Sequence, residues 1–231
     1  MTIRLYELAG AEPERRFSPY CWRIHLALLH KQLPFETVAW RFTDKAAIAF
    51  AGADKVPVLV DGDRAVHESS VIADYLEERY PDQPSLFGGA AAQSLSRFIV
   101  DWSDSVQIAG LFRLIAADIA RHLAPQDIDY FRRTREARIG MTLEQYCADT
   151  PTHLGVFRAS LAPLRRTLAR QNFLAGDHPA WADYAVFGPF QWARCISPLQ
   201  LLAADDRVAA WRDRMLDLFD GAAGKAMGYK V

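Results

Sequence analysis

The sequence lacks three features: a long apolar run, a surplus of charge and a clustered set of cysteines. Its longest stretch without a charged residue is Gln83–Ser96, which holds Pro, Gly and polar residues, whereas a membrane span needs about 20 mainly apolar residues. The 27 basic and 28 acidic side chains give a net charge of −1, which leaves no surplus to release counterions from a phosphate backbone. We therefore predict neither a membrane span nor a nucleic-acid partner.

The cysteines and the first residues indicate the compartment. Cys21, Cys147 and Cys195 are odd in number, widely separated and without the spacing of metal ligands. No apolar segment of the kind found in signal peptides follows Met1. We expect a reduced, cytoplasmic protein without a metal site.

The sequence does contain a change of pattern near residue 83. Strand-like and helical patterns alternate before this point, and the predicted strands are Ile3–Leu8, Phe35–Trp40, Lys55–Val60 and Arg64–His67. One helix begins after Ser18, and Ser69 or Ser70 caps a second. We predict an α/β domain with the order β-α-β-(α)-β-β-α at residues 1–83, a linker at 84–92 and an all-α domain at 93–231.

The second half shows helical periodicity throughout. The predicted helices are roughly Leu95–Ala109, Asp127–Cys147, Leu154–Arg170, Trp181–Cys195 and Val208–Phe219. One of them carries a cluster of arginines, which we interpret as a solvated helix face, with an anion site as the alternative: Arg132, Arg133, Arg135 and Arg138.

Ser18-Pro19-Tyr20-Cys21 is the first motif that could carry chemistry, because it joins the first strand to the first helix. The free amides and the dipole at a helix N-terminus stabilise an anion such as a thiolate. Ser18 stands where a thiol–disulfide exchange motif has its attacking cysteine. A serine hydroxyl there can donate a hydrogen bond to a thiolate supplied by a ligand. The alternative is that Ser18 only caps the helix and Cys21 only packs.

Two further motifs lie near the ends of strands. In Lys55-Val56-Pro57-Val58, a cis bond before Pro57 would turn the backbone N–H and C=O of Val56 towards an extended peptide ligand; an ordinary edge-strand proline is the alternative. In Glu68-Ser69-Ser70, a hydroxyl and free amides suit a carboxylate and Glu68 suits an ammonium group. A plain helix start is the alternative there.

These three motifs, in this order and spacing before an all-helical half, resemble the glutathione transferase family. The resemblance implies a thioredoxin-like domain followed by a helical domain, glutathione as co-substrate and a homodimer. The Ser-Pro-Tyr opening and residues 125–130 are most similar to bacterial β-etherase-type transferases and their fungal relatives. Ala182-Asp183-Tyr184 resembles the family's buried capping segment, although Ala180 replaces the usual Ser or Thr at the cap.

The resemblance also implies roles for individual residues. Ser18 is the catalytic residue, which holds the glutathione sulfur as thiolate. The glutathione-binding residues are Arg41, Lys55, Val56, Pro57, Glu68 and Ser69: the Val56 backbone with a cis Pro57 for the cysteinyl part, Glu68 and Ser69 for the γ-glutamyl end, and Lys55 with Arg41 for the glycyl carboxylate. The acceptor pocket lies between the domains, and its candidates are Trp102, Phe112, Tyr146 and Trp192, each of which is equally typical of a helical core.

We therefore predict a transferase in which glutathione thiolate attacks a small hydrophobic electrophile, and in the β-etherase-like version displaces an aryl-ether leaving group. A glutathione-dependent reductase that uses Cys21 is one alternative. A non-catalytic ligand-binding or interaction module with the same fold is another.

Overall fold

The computed structural model describes residues 2–230. The first part of the chain is a mixed four-stranded sheet with two flanking helices, as predicted. Its elements are β1 (Ile3–Leu8), α1 (Pro19–His30), β2 (Phe35–Trp40), a 3₁₀ segment (Lys45–Ala51), β3 (Val58–Asp61), β4 (Arg64–His67) and α2 (Ser69–Arg79).

The sheet brings the chain's candidate motifs to one edge. Its strand order is β2-β1-β3-β4, with β1 and β2 parallel and the other two pairs antiparallel. Leu8 pairs with Trp40, and Val58 pairs with both Tyr6 and His67. The ends of β1, β2 and β4 therefore lie beside the start of β3. The segments that contain Ser18, Lys45, Val56 and Glu68 all adjoin this edge.

The rest of the chain is helical, which confirms the two-part fold prediction. Its elements are α3 (Ala90–Trp102), a π-helical segment (Ser103–Ile108), α4 (Ala109–Ala120), α5 (Pro125–Ile139), α6 (Leu143–Tyr146), α7 (Thr150–Ser160), α8 (Ala162–Leu168), α9 (Trp181–Ile196) and α10 (Arg207–Lys225). None of the helices within residues 2–230 combines the length and the apolarity that a bilayer crossing requires.

Helix α9 is the central support of the site. All of its residues except Arg194 are buried, as expected for a helix that is packed on every side. It lies so close to α1 that a Cβ on Gly188 would sit 2.3 Å from the carbonyl oxygen of Pro19. The first turn of α1, which directly follows Ser18, is therefore held against α9.

Four predicted boundaries are wrong. The third strand begins at Val58 rather than Lys55, and Pro57 has no N–H to donate to a ladder. The helix predicted at 127–147 is two helices separated at Gly140, whose φ of 75° is left-handed. The one predicted at 154–170 breaks at Leu161, just before a proline in the first turn of α8. Helix α10 continues to Lys225 across a non-helical break at residues 218–221.

Candidate functional site

Ser18 occupies the N-cap of α1 and is 3% exposed. Its Oγ accepts a hydrogen bond from the amide of Cys21 at 3.3 Å. This role uses the hydroxyl oxygen as an acceptor and leaves its proton available for donation. Pro19 follows at the first helical position, where it has no amide to lose. The hydroxyl thus lies at the positive end of a twelve-residue helix, where an anion is stabilised.

Val56 and Pro57 lie immediately before β3. The Val56–Pro57 peptide bond is cis. Within residues 2–230, no backbone hydrogen bond engages the N–H or C=O of Val56, and Val56 and the exposed Lys55 both line the cavity described below. These two backbone groups can accordingly pair with an extended ligand.

Glu68 and Ser69 form the start of α2. Glu68 is exposed and has φ 70° and ψ 124°, a conformation that a non-glycine residue adopts rarely and that is often found at functional sites. The prediction that Ser69 or Ser70 caps α2 is wrong, because Glu68 is at the cap position and no side chain there bonds to the helix. The first amides of α2 have no intrahelical partner and can meet a carboxylate.

Arg41 and Lys45 follow β2 but are used differently. The guanidinium of Arg41 donates to the carbonyl of Ala11 at 3.0 Å, and Arg41 is not part of the cavity wall. Lys45 does line the cavity; its ammonium lies 5.0 Å from the Trp40 ring and donates to the carbonyl of Asp54. Sequence reasoning missed Lys45, although it follows the predicted second strand by only a few residues.

A cavity of about 550 Å³ opens between the two parts of the chain, beside Ser18. Phe112 forms one wall, stacked on Trp192 at a centroid distance of 6.4 Å and tilted against Tyr146 at 5.8 Å. Three of the four candidate acceptor residues therefore line the cavity, and Trp102 does not. A cavity of this size with an aromatic wall and a few polar groups is typical of a small-molecule site.

The interpretation of the arginine cluster as a solvated face is wrong for Arg135, which is half-buried, whereas Arg138 is exposed but also faces the cavity. Arg135 and Arg138 line the cavity, whereas Arg132 points away and pairs with Glu136 and Glu144. Burial lowers the pKa of Arg135 below its ordinary value. The signal that could have found these residues is their spacing from the buried Phe131, at i+4 and i+7 on one helical face.

Tyr20 and Asp104 line the cavity, and both contact the buried Arg23. The fully buried guanidinium of Arg23 lies 2.6 Å from an oxygen of Asp104 and 4.9 Å from the centre of the Tyr20 ring. Burial, with smaller contributions from the charges of Asp104 and Glu68, raises the pKa of Tyr20. Tyr20 therefore lines the cavity as a neutral hydroxyl at neutral pH.

Two family models match the chain. Residues 13–84 match the glutathione S-transferase N-terminal domain, and residues 94–219 match the glutathione S-transferase C-terminal domain. A probable glutathione S-transferase, GSTU6, from rice (Oryza sativa subsp. japonica) is 30% identical over 207 residues, which is 85% of this chain and 80% of the rice protein. The chain belongs to the glutathione S-transferase family.

Solved structures of this family share the fold. Glutathione transferase GSTFuA3 from Phanerochaete chrysosporium has a TM-score of 0.77 at 24% identity, covering 96% of this chain and 92% of its own. CsGST83044 from Ceriporiopsis subvermispora, solved in complex with glutathione, has a TM-score of 0.78 at 19% identity, covering 96% and 94%. The family uses glutathione as its co-substrate. Within the described residues 2–230 there is no group of His, Cys, Asp or Glu side chains that could hold a metal ion.

The residues present fit glutathione as a substrate of this transferase. Ser18 could offer a hydroxyl to the sulfur, and the backbone of Val56 could pair with an extended peptide. The first amides of α2 could meet a carboxylate, and Glu68 could meet an ammonium group. Lys45 and Lys55 add positive charge on the cavity wall. These groups match the sulfur, the peptide, the α-amino-acid end and the net negative charge of the tripeptide.

The cysteines of this transferase lie away from a reactive position. Cys21 is 1% exposed, and burial raises the pKa of its thiol to about 12, with a further contribution from the charge of Glu7 and against a lowering effect of the Ser18 hydroxyl. Burial raises the pKa of Cys195 to about 12 as well. Cys147 is half-buried, and all three thiols are free.

Asp183 organises the start of α9. Its carboxylate accepts hydrogen bonds from the amides of Leu174, Ala175 and Ala180 and, at 2.9 Å, from the indole of Trp211. Ala180 has no side-chain oxygen, so it returns only a carbonyl bond to the amide of Asp183. The capping segment that the sequence resemblance implies therefore has only one of the two side-chain hydrogen bonds of a reciprocal pair.

Proposed function

We propose that this glutathione S-transferase ionises bound glutathione at Ser18 and directs the thiolate at an aromatic electrophile. The observation that carries the proposal is the position of Ser18: its hydroxyl caps α1 on the wall of a cavity whose far side is aromatic. A hydroxyl and a helix N-terminus together stabilise a sulfur anion. The cavity holds the acceptor within reach of that sulfur.

Glutathione is bound along the edge of the sheet in this proposal. The cysteinyl unit pairs with the backbone of Val56, next to the cis bond to Pro57, and its thiol then lies towards Ser18. Glu68 and the first turn of α2 at Ser69 hold the γ-glutamyl ammonium and carboxylate. The opposite end of the tripeptide, its glycyl carboxylate, meets Lys55.

Lys45 takes the place that the sequence resemblance assigned to Arg41. Lys45 lines the cavity, whereas the guanidinium of Arg41 is held by the carbonyl of Ala11. We therefore assign the glycyl carboxylate to Lys45 and Lys55 together.

The reaction begins with loss of the thiol proton to solvent. The sulfur then forms a bond to an electrophilic carbon, and the bond from that carbon to its leaving group breaks with the electron pair going to the leaving group. In the aryl-ether version the leaving group is a phenolate, which takes a proton from water. The chain supplies thiolate stabilisation, orientation and a water-poor pocket.

The decisive experiment is replacement of Ser18 by alanine. Loss of one donor to a developing anion lowers turnover by about 10²-fold, whereas the dissociation constant of glutathione should change little because the peptide and carboxylate contacts remain. Turnover with a chloroarene and glutathione binding by calorimetry give the two quantities. Unchanged turnover would remove Ser18 from the mechanism. Release of a phenol from an aryl-ether substrate tests the β-etherase-like version separately.

Two alternative functions, a reductase that uses Cys21 and a non-catalytic carrier, have less support or make a different prediction. A reductase needs a reactive cysteine at the site, and the thiol of Cys21 is buried with a strongly raised pKa. A carrier would bind glutathione without ionising its thiol, so the ultraviolet absorbance of bound thiolate separates it from an enzyme.

We also propose that the protein is a cytoplasmic homodimer. Three apolar side chains on the adjacent helices α2 and α3 are exposed: Val71 (54%), Leu95 (69%) and Phe98 (73%). These helices are joined at Asp74, which accepts a hydrogen bond from Gln93 at 2.7 Å. Light scattering should give twice the chain mass of 26.0 kDa, and Phe98→Ser should shift the population towards monomer. A monomer at all concentrations refutes this part.

A further inference from the structure

The cavity has more positive charge than glutathione requires. Its charged lining residues are Lys45, Lys55, Arg135, Arg138 and Asp104. Asp104 is paired with the buried Arg23 at 2.6 Å, so it does not neutralise the other four. The proposed glutathione site uses the two lysines, which leaves two guanidinium groups on the acceptor side.

Arg135 and Arg138 have no carboxylate partner within the described part of the chain, residues 2–230. Arg135 contacts the neutral hydroxyls of Thr134 and Tyr130, although it is half-buried, a setting in which a guanidinium normally finds an anion. Arg132, which precedes Arg135 by one turn of α5 and does not line the cavity, has two glutamates. The helix thus pairs Arg132 with carboxylates and leaves the two cavity-lining arginines without one among the described residues.

Both cavity-lining arginines, the half-buried Arg135 and the exposed Arg138, lie against aromatic rings. The guanidinium carbon of Arg135 lies 5.1 Å from the centre of the Phe42 ring and 5.0 Å from that of Phe131. That of Arg138 lies 5.4 Å from the Phe112 ring, which also stacks on Trp192. Stacking orients the planar guanidinium, and the in-plane N–H groups that Thr134 and Tyr130 do not engage remain available to an oxyanion.

The two arginines are three residues apart on one helix, so their side chains are neighbours. A single carboxylate can therefore receive hydrogen bonds from both, while the ring that carries it lies along the Phe112 wall. A wholly neutral arene would leave these charged donors without a partner in a partly desolvated cavity.

We propose that Arg135 and Arg138 bind a carboxylate on the electrophile, so that the acceptor substrate is an aromatic acid. This inference rests on the proposed function, because it places the acceptor beside the thiolate held at Ser18. It adds to that function a specificity-determining pair on α5.

The first test needs no glutathione. Naphthoate and naphthamide have the same ring and differ in charge, and quenching of intrinsic tryptophan fluorescence reports their binding, since Trp40 and Trp192 line the cavity. Naphthoate should bind about tenfold more tightly than naphthamide, as expected for a charge-assisted hydrogen-bonded pair. Equal affinities would overturn the proposal.

Variants locate the effect. Arg135→Gln should abolish most of the preference for naphthoate, and Arg135→Lys should keep part of it because the charge remains. Arg133→Gln is the matched control, on the same helix but exposed and away from the cavity, and should behave as wild type. A preference that survives in the Arg135→Gln/Arg138→Gln double variant would overturn the proposal.

Glutathione binding distinguishes a failure of this inference from a failure of the proposed function. Calorimetry should give the same glutathione affinity for wild type and Arg135→Gln; if this variant weakens glutathione and naphthoate alike, the arginines belong to the glutathione site and the inference is wrong. If glutathione does not bind wild type at all while naphthoate is still preferred, the proposed function fails and the anion site stands.

Kinetics complete the test. Chloromethylbenzoate and its methyl ester present the same reacting carbon with and without the charge. Arg135→Gln should lower kcat/KM for the acid by about tenfold and for the ester by much less. Equal losses for both substrates would contradict the assignment.

Discussion

Replacement of Gly188 by alanine tests how closely α9 must approach α1. A Cβ at this position would lie 2.3 Å from the carbonyl oxygen and 3.2 Å from the carbonyl carbon of Pro19, and 3.3 Å from Cγ of Arg23. The two nearest atoms are backbone, so one helix must move to relieve the clash. Overpacking costs about 1–3 kcal/mol and occasionally more, and we expect a loss near the upper end, about 3 kcal/mol.

Thermal unfolding measures this loss. For a chain of this length 1 kcal/mol corresponds to about 2–4 °C in Tm, so Gly188→Ala should lower Tm by about 6–12 °C. It should also lower turnover, because the displaced carbonyl of Pro19 directly follows Ser18.

Gly155→Ala in α7 is the matched control, because no described atom outside the neighbouring residues and the backbone of its own helix lies within 4 Å of the added Cβ. Removal of an exposed helical glycine gains up to about 1 kcal/mol, so its Tm should stay level or rise slightly. A Gly188→Ala protein that melts with the wild type would refute the close-approach argument.

Two further predictions concern buried groups. Lys31 is fully buried and pairs with Glu77 at 3.0 Å. Glu77→Gln should therefore destabilise the protein by about 2–3 kcal/mol at neutral pH. This loss is smaller than for a wholly buried pair, because Glu77 keeps some contact with water. Burial alone would raise the pKa of Glu77, but hydrogen bonds from Ser85, the Leu86 amide and Lys31 lower it below the ordinary value of 4.5. The stabilisation is therefore present above pH 4.5 and lost as the pH falls through the folded pKa. Urea unfolding of both proteins at neutral and acidic pH should show the difference in their unfolding free energies closing in acid. A difference in unfolding free energy between the two proteins that persists in acid would contradict this role of the Lys31–Glu77 pair. The last prediction concerns the thiols: brief treatment with iodoacetamide at neutral pH, followed by intact mass, should show Cys147 modified before Cys21. The reason is that burial suppresses the thiolate of Cys21. With Cys147→Ser as control, early labelling of Cys21 would support the reductase alternative.

The fold was predictable where one local pattern determines one element. Ile3–Leu8, Phe35–Trp40 and Arg64–His67 have the predicted bounds. In Ile3–Leu8 the cause is visible, because alternation places Ile3, Leu5 and Glu7 on one buried face. The π-helical segment Ser103–Ile108 was not predictable. Ser103 and Gln107 bond to carbonyls of α9, at 3.2 Å and 3.0 Å, and such distant partners leave no local signal.

The site was predictable only in part, for a similar reason. Ser18, Val56 and Glu68 stand at ends of elements, where spacing along the sequence indicates free backbone groups. The inward direction of Arg135 depends instead on how α5 packs through Phe131. The predicted boundaries at residues 83 and 92 and the individual residue roles stay predictions; α3 begins at Ala90, within the predicted linker.

The most direct test of the account is the pKa of glutathione's thiol when bound. Ultraviolet titration of thiolate absorbance, with wild type and Ser18→Ala both saturated with glutathione, measures it while leaving the helix N-terminus in place. The account predicts a thiol pKa at least about one unit below the free value of about 8.5 in wild type, and a clear return towards that value in Ser18→Ala. The same bound-thiol pKa in both proteins would contradict the claim that the Ser18 hydroxyl holds the sulfur anion.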